Sequence, residues 1–281
     1  MNNNNQENQF VIFVLHGLGG SAWLGRTRYV RQLSKSLPYN LKFILLQGKI
    51  ISLHLSKFYR VPIFLTGWYN IETHANLLNG EDDQGLLTTI GQIDEMITEE
   101  INQGIPARNI FLLGFSQGGS VVLSMAMTSR HELGGIVSIA GFLPFYEALK
   151  KKELGLNKSV PILMIHGEGD KIVLCQDGLT SAKTLKNDGY QVEFVTYSQI
   201  GHADIMMESE EKIIEFLQQI FTARKIKPLE SSQEPEAKTI KIDKKSPWPT
   251  ILGSITPIPA FFYSLFKKKK GVPPLSASVV G

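Results

Sequence analysis

Apolar positions along the chain fall into short continuous runs separated by stretches with helical spacing. "FVIFVLHGLGG" (residues 10–20) is a run buried on both faces that ends in a glycine loop, and "LKFILLQ" (41–47) is a second such run. Between them, residues 25–37 read as a helix. From Gly85 to Gln103, Leu86, Leu87, Ile90, Ile93, Ile97 and Ile101 keep helical spacing until Gly104 and Pro106 stop it. Ile110–Leu113 is another buried strand. It breaks at Gly-Phe-Ser-Gln-Gly-Gly and resumes as a helix carrying Val121, Val122, Met125 and Ala126. Strands follow at "GGIVSIAG", "VPILMIHGEGD" and "QVEFVTY", and an amphipathic helix runs over about 208–222. Strands alternating with helices predict an α/β fold, a mostly parallel sheet covered by helices on both faces. The stretch 48–66 has β-like segments without a clean period.

The domain is expected to span 10–224. An asparagine-rich leader (1–9) precedes it and is read as disordered, a polar linker (225–246) follows, and then a tail (247–281). The apolar run 10–15 is too short and too poorly flanked for a secretory signal, so a cytoplasmic protein is expected. With 281 residues, 43% hydrophobic and 20% charged, the chain suits one large soluble domain plus extras.

Charge changes the picture of the tail. The net charge of +3 divides into +6 over residues 225–281, from ten Lys and four acidic residues, and −3 over the remainder. The main domain therefore gives no sign of binding nucleic acid. Residues 247–266 carry no charge, and Phe261, Phe262, Tyr263 and Phe266 stand beside Lys267–Lys270. That pattern suits an interfacial contact of 247–270 with anionic lipid, each lysine contributing about 1 kcal/mol. Pro247, Pro249, Pro257 and Pro259 argue against a straight span, and a disordered or partner-binding tail is the other reading. One cysteine, Cys175, excludes an internal disulfide and is read as a packing residue. No HExxH motif or clustered Cys and His spacing is present, so neither a metal nor another cofactor is expected.

The candidate chemistry centres on Ser116. A G-x-S-x-G match alone is modest, with roughly 0.1 expected by chance in a chain this long. Its place between a strand and a helix is what makes it informative. A serine hydroxyl needs a base, and the base needs an orienting acid. Asp170, after "ILMIHGEG", and His202, in "SQIGHAD", both follow later strands, so all three loops share one rim of a parallel sheet. Glu168 and Asp177 are alternatives to Asp170, while the bland reading of His202 is a cap on the last helix, a place Asp204 could also fill. The developing oxyanion needs donors, and the backbone N–H groups of Gln117 and Leu18 are the candidates. His16 and His166, at strand ends, are read as loop organisers, and His54, His74 and His131 as exposed.

"LHGLGG", "GIPARNIFLLGFSQGG", "SIAGFLP", "HGEGDKIV" and "GH" at 201–202 resemble the phospholipase/carboxylesterase family of α/β-hydrolases, over roughly residues 10–222. The resemblance implies the α/β-hydrolase fold, a Ser116–Asp170–His202 triad, oxyanion donors Leu18 and Gln117, and no cofactor. It implies hydrolysis of ester or thioester bonds, with an acylated protein, a lysophospholipid or a small ester as substrate. "GWYNIE" (67–72) resembles the family's segment near the acyl pocket, which makes Trp68 a substrate-binding candidate as well as a packing one; Asn70 stands where an acid is usual. The stretch after the second strand departs from the family's proline-rich pattern, Lys171 replaces a common proline, and the tail has no counterpart. Two other readings stay open: a broad small-ester carboxylesterase, and a non-catalytic membrane-tethered interaction protein on the same fold.

Overall fold

In the computed structural model the described residues are 9–22, 29–53, 63–71, 82–226, 228 and 236–241. Seven parallel strands form the central sheet: β1 (Gln9–Leu15), β2 (Asn40–Gln47), β5 (Ile110–Phe115), β6 (Gly135–Ile139), β7 (Ile162–Gly167), β8 (Val192–Tyr197) and β9 (Glu236–Lys241). Their order is β8-β7-β6-β5-β1-β2-β9, with Val14 facing Leu113 and Leu113 facing Val137 across the centre. Two further strands, β3 (Lys49–Leu53) and β4 (Ile63–Gly67), pair antiparallel as a separate ribbon.

Alternation along the strands builds two cores. Val11, Phe13 and Leu15 of β1 face one side, where α2 (Asp83–Asn102), α3 (Gln117–Thr128), α4 (Tyr146–Lys150) and α5 (Cys175–Asn187) pack. Phe10 and Ile12 face the other, under α1 (Tyr29–Ser36) and α7 (Glu210–Ala223). A short helix, α6 (Ile205–Glu208), precedes α7. Every residue of α3 is buried, and apart from Gln117, whose amide is hydrogen-bonded to Trp68 and Tyr69, the helix consists of small and apolar residues. The predicted strands and helices are all present, and the fold is the expected doubly covered parallel sheet.

Several segments differ from the sequence reading. The 48–66 stretch supplies β3 and β4. Its middle, residues 54–62, lies outside the described residues, as do His54 and His74. Helix α5 escaped notice because its buried face consists of Gly178, Ser181, Ala182 and Leu185, too small to create a visible apolar period. Within the stretch read as a linker, residues 236–241 pair with Lys42–Gln47 as an edge strand, where polar residues are tolerated on the open side. Gln9, assigned to the leader, belongs to β1, while residues 1–8 and the tail 247–281 lie outside the described residues. Among the described residues no helix is long and apolar enough to cross a membrane.

Candidate active site

Ser116 sits between β5 and α3 with φ 54° and ψ −118°, a left-handed backbone that an L residue adopts only when its surroundings enforce it. Two glycines permit the turn. A Cβ at Gly114 would overlap the carbonyl oxygen of Gly118, and one at Gly118 would overlap that of Leu15. The bend is pinned by Ser116 N–H donating to Ile139 O at 2.8 Å and Ser120 N–H donating to Ser116 O at 3.0 Å. The hydroxyl is thereby lifted to the carboxyl rim of the sheet.

Asp170 follows β7 and is 4% exposed. Its Oδ1 accepts the N–H groups of Ile172 (2.8 Å) and Val173 (3.0 Å), and its Oδ2 lies 2.6 Å from His202 Nδ1. Burial alone would raise this carboxyl's pKa. The hydrogen bonds from His166, His202 and Ile172 outweigh it and hold the group well below the usual carboxylate range. His202, 8% exposed, places Nε2 2.9 Å from Ser116 Oγ, and the Phe115 ring lies against it with centroids 5.0 Å apart. The two loops are joined through backbone. Gly169 N–H donates to Ile200 O at 3.0 Å, and a Cβ at Gly167 would overlap that same oxygen.

Three side chains from three loops thus form one chain of hydrogen bonds, Asp170–His202–Ser116. Glu168 instead accepts the hydroxyls of Thr196 and Ser198, Asp177 stands in the first turn of α5, and Asp204 makes no capping bond with its side chain. The Cys175 thiol is pushed up by burial and by the carboxylates of Glu168 and Asp170, against any nucleophilic use.

The loop 16–20 lies beside Ser116, since a Cβ at Gly17 would come within 3.1 Å of the Ser116 Cβ. Backbone N–H groups of Leu18 and Gln117 have no protein acceptor among the described residues, as oxyanion donors require. His16 organises this loop. Its Nδ1–H donates to Gly17 O (2.7 Å) and its Nε2 accepts from Gly48 N–H (3.0 Å), which fixes the neutral tautomer. Burial lowers its pKa to about 4, the Gly17 bond opposing only in part. Gln47, unnoticed in the sequence, accepts Ala22 N–H at 3.0 Å and lies 3.1 Å from His16 Nε2. A polar residue closing an apolar strand on this rim was the available signal.

Trp68, expected to line the substrate pocket, is 1% exposed and offers no face to a ligand. Its indole N–H donates to His16 O at 2.6 Å and its ring lies tilted against His16 with centroids 4.8 Å apart, so it braces the loop 16–20. The Gln117 side chain holds the same segment, accepting Trp68 N–H at 3.0 Å and donating to Tyr69 O at 2.7 Å. Thr66 adds two bonds, its O accepting Gly19 N–H (2.7 Å) and its Oγ1 donating to Gly20 O (2.5 Å). His131 is half-buried rather than exposed, with Nε2 2.8 Å from Thr98 Oγ1.

Comparison with known proteins agrees with this architecture. The Phospholipase/Carboxylesterase family matches over residues 1–221. An acyl-protein thioesterase 1 of Gibberella zeae is 34% identical over 214 residues, which cover 73% of this chain and 88% of that protein. The acyl-protein thioesterase 1 of Neurospora crassa is also 34% identical, over 70% of this chain and 81% of its own length. Among solved structures, Arabidopsis thaliana SOBER1 superposes with a TM-score of 0.67 at 23% identity, covering 76% of this chain and 99% of that one. Zea mays acyl-protein thioesterase 2 gives 0.62 at 22%, covering 76% and 94%; both show a shared fold. The chain belongs to the phospholipase/carboxylesterase family of α/β-hydrolases.

Proposed function

We propose that Ser116 is the nucleophile of this esterase or thioesterase and that hydrolysis runs through an acyl-enzyme. The observation that carries the reading is the single imidazole of His202, 2.6 Å from Asp170 and 2.9 Å from Ser116. With Asp170 ionised, Nδ1 holds its proton toward the carboxylate and Nε2 is bare toward the hydroxyl. As Oγ attacks the acyl carbonyl carbon, its proton passes to Nε2. The carbonyl oxygen becomes an oxyanion held by the N–H groups of Leu18 and Gln117. Collapse breaks the bond to the leaving alcohol or thiol, which takes the proton from Nε2 and departs. Water then repeats the cycle on the Ser116 ester and releases the carboxylic acid.

The names of the relatives favour an acylated protein as substrate, with lysophospholipids and small esters as chemically equivalent acyl donors. The uncharged aromatic stretch 247–266 followed by Lys267–Lys270 suits contact with an anionic membrane, where such long-chain substrates reside. The test is hydrolysis of a palmitoyl-cysteine peptide against p-nitrophenyl butyrate, by the full chain and by Ser116→Ala. Turnover of the thioester by the full chain, abolished in the variant, supports the reading. Turnover of the short ester alone selects the small-ester carboxylesterase, and turnover of both substrates by Ser116→Ala overturns the nucleophile.

A further inference from the structure

A second imidazole stands beside the acid. His166 is the penultimate residue of β7, is 1% exposed, and has its Nε2 2.9 Å from Val173 O and 3.4 Å from Asp170 Oδ2. A carbonyl oxygen can only accept, so Nε2 carries the proton. Nδ1 faces α5 at Gly178, where a Cβ would come within 2.5 Å, so the helix closes over the ring only because no side chain is there. The Phe194 ring lies 6.5 Å away on β8.

The turn 170–173 is therefore fastened at two points. Ile172 and Val173 N–H groups hold Oδ1, and His166 N–H holds the carbonyl end of Val173 while leaning on Oδ2. The two backbone bonds on Oδ1 set the rotation of the carboxylate about its Cβ–Cγ axis, but they hold it only as firmly as the turn that carries their donors. The second fastening holds that turn, and with it the oxygen that must meet His202 Nδ1. We propose that His166 is a positioning residue for hydrolysis: its Nε2–H locks the Asp170 turn so that Oδ2 is held on His202 as that ring becomes imidazolium. The inference rests on the reading of Ser116, His202 and Asp170 as the catalytic relay. Among the described residues the ionisable groups around Asp170 are His166 on β7, His202 on the loop before α6, Glu168 and Lys171 beside it in sequence, and Cys175 on α5. Of these, the two imidazoles touch the carboxylate.

A histidine that merely filled space would be replaceable by any planar side chain that folds. The experiment compares three full-chain variants with p-nitrophenyl butyrate as substrate. His166→Phe keeps the ring without a donor, His166→Gln keeps an amide donor at comparable reach, and His166→Asn keeps the amide but falls short of Val173. With Phe or Asn, kcat is expected to fall about 10- to 100-fold with KM nearly unchanged. The acid limb of the kcat/KM profile is expected to move to lower pH, because imidazolium at His202 loses part of its counter-ion. The Gln variant is expected to recover most of both. If folded Phe and Asn variants match wild type in kcat and in pH profile, or if Gln does no better than Asn, the inference is overturned. Should Phe fail to fold, the Gln–Asn pair still decides. If the wild-type chain itself neither hydrolyses the ester nor labels at Ser116 with a fluorophosphonate, the catalytic reading falls instead.

Discussion

Replacing Asp170 by Asn reverses a proton, and the surrounding donors dictate which way. Oδ1 receives two backbone N–H groups, from Ile172 and Val173, so the amide oxygen of the Asn must take that place. An NH2 group there would confront two donors. The NH2 is then forced to the Oδ2 position, facing His202 Nδ1 at 2.6 Å. Nδ1 must become an acceptor, which moves the imidazole proton to Nε2, the nitrogen 2.9 Å from Ser116 Oγ. The hydroxyl keeps its hydrogen bond but loses its base. By the general behaviour of such relays kcat falls about 10⁴-fold, or about 5 kcal/mol of transition-state stabilisation. Substrate binding is untouched, so KM stays near wild type. Steady-state hydrolysis of p-nitrophenyl butyrate measures this, with circular dichroism as the control for folding. Labelling of Ser116 by a fluorophosphonate should slow in parallel, since it uses the same base. A folded Asp170→Asn enzyme retaining kcat within about tenfold of wild type would refute the tautomer argument.

Other consequences follow from the contacts around the site. Trp68→Phe keeps the ring on His16 but strands the His16 carbonyl, so kcat should fall about tenfold at constant KM and stability by about 1–3 kcal/mol; unchanged kcat would show that the loop needs no brace. His16 titrates near 4 when folded and near 6.5 when unfolded. Its neutral form contributes fully above pH 6.5. Between those values the unfolded chain binds the extra proton, so stability drops as pH falls, by up to about 3 kcal/mol. The stability difference between wild type and His16→Gln, followed by urea unfolding, should shrink over that window, and a constant difference contradicts it. Lys42 and Glu100 form a buried ion pair at 2.8 Å. Glu100→Gln leaves a buried charge and should cost about 3–5 kcal/mol, whereas the double variant combining Lys42→Met with Glu100→Leu should restore most of it. A double variant at least as destabilised as Glu100→Gln alone would contradict the burial argument.

The hydrogen-bonded chain of Ser116, His202 and Asp170 is readable in the sequence because its parts sit at chain positions with sharp local signals. Ser116 lies between an apolar strand and a glycine-flanked helix start, and Asp170 and His202 each follow a buried run. Parallel topology then brings loops 32 and 86 residues apart onto one rim. What escaped was carried by weak or cancelling signals. Small residues on the buried face of α5 erased its period. Edge strand β9 is polar because one side of it needs no partner. Trp68 invited a substrate role because a large aromatic near a pocket motif suits packing and binding alike; only its N–H on His16 O decides. Thr66 holds the loop 16–20 from an element distant in sequence, which no local pattern announces, and for Gln47 the one local sign is a polar residue closing an apolar strand.

The most direct measurement is covalent. The full chain is treated with a fluorophosphonate, digested, and the modified residue located by mass spectrometry. A single adduct on Ser116, absent after His202→Ala and accompanied by loss of ester hydrolysis, is the predicted result. An adduct on another residue, or hydrolysis that survives complete modification of Ser116, would contradict the relay on which the whole reading stands.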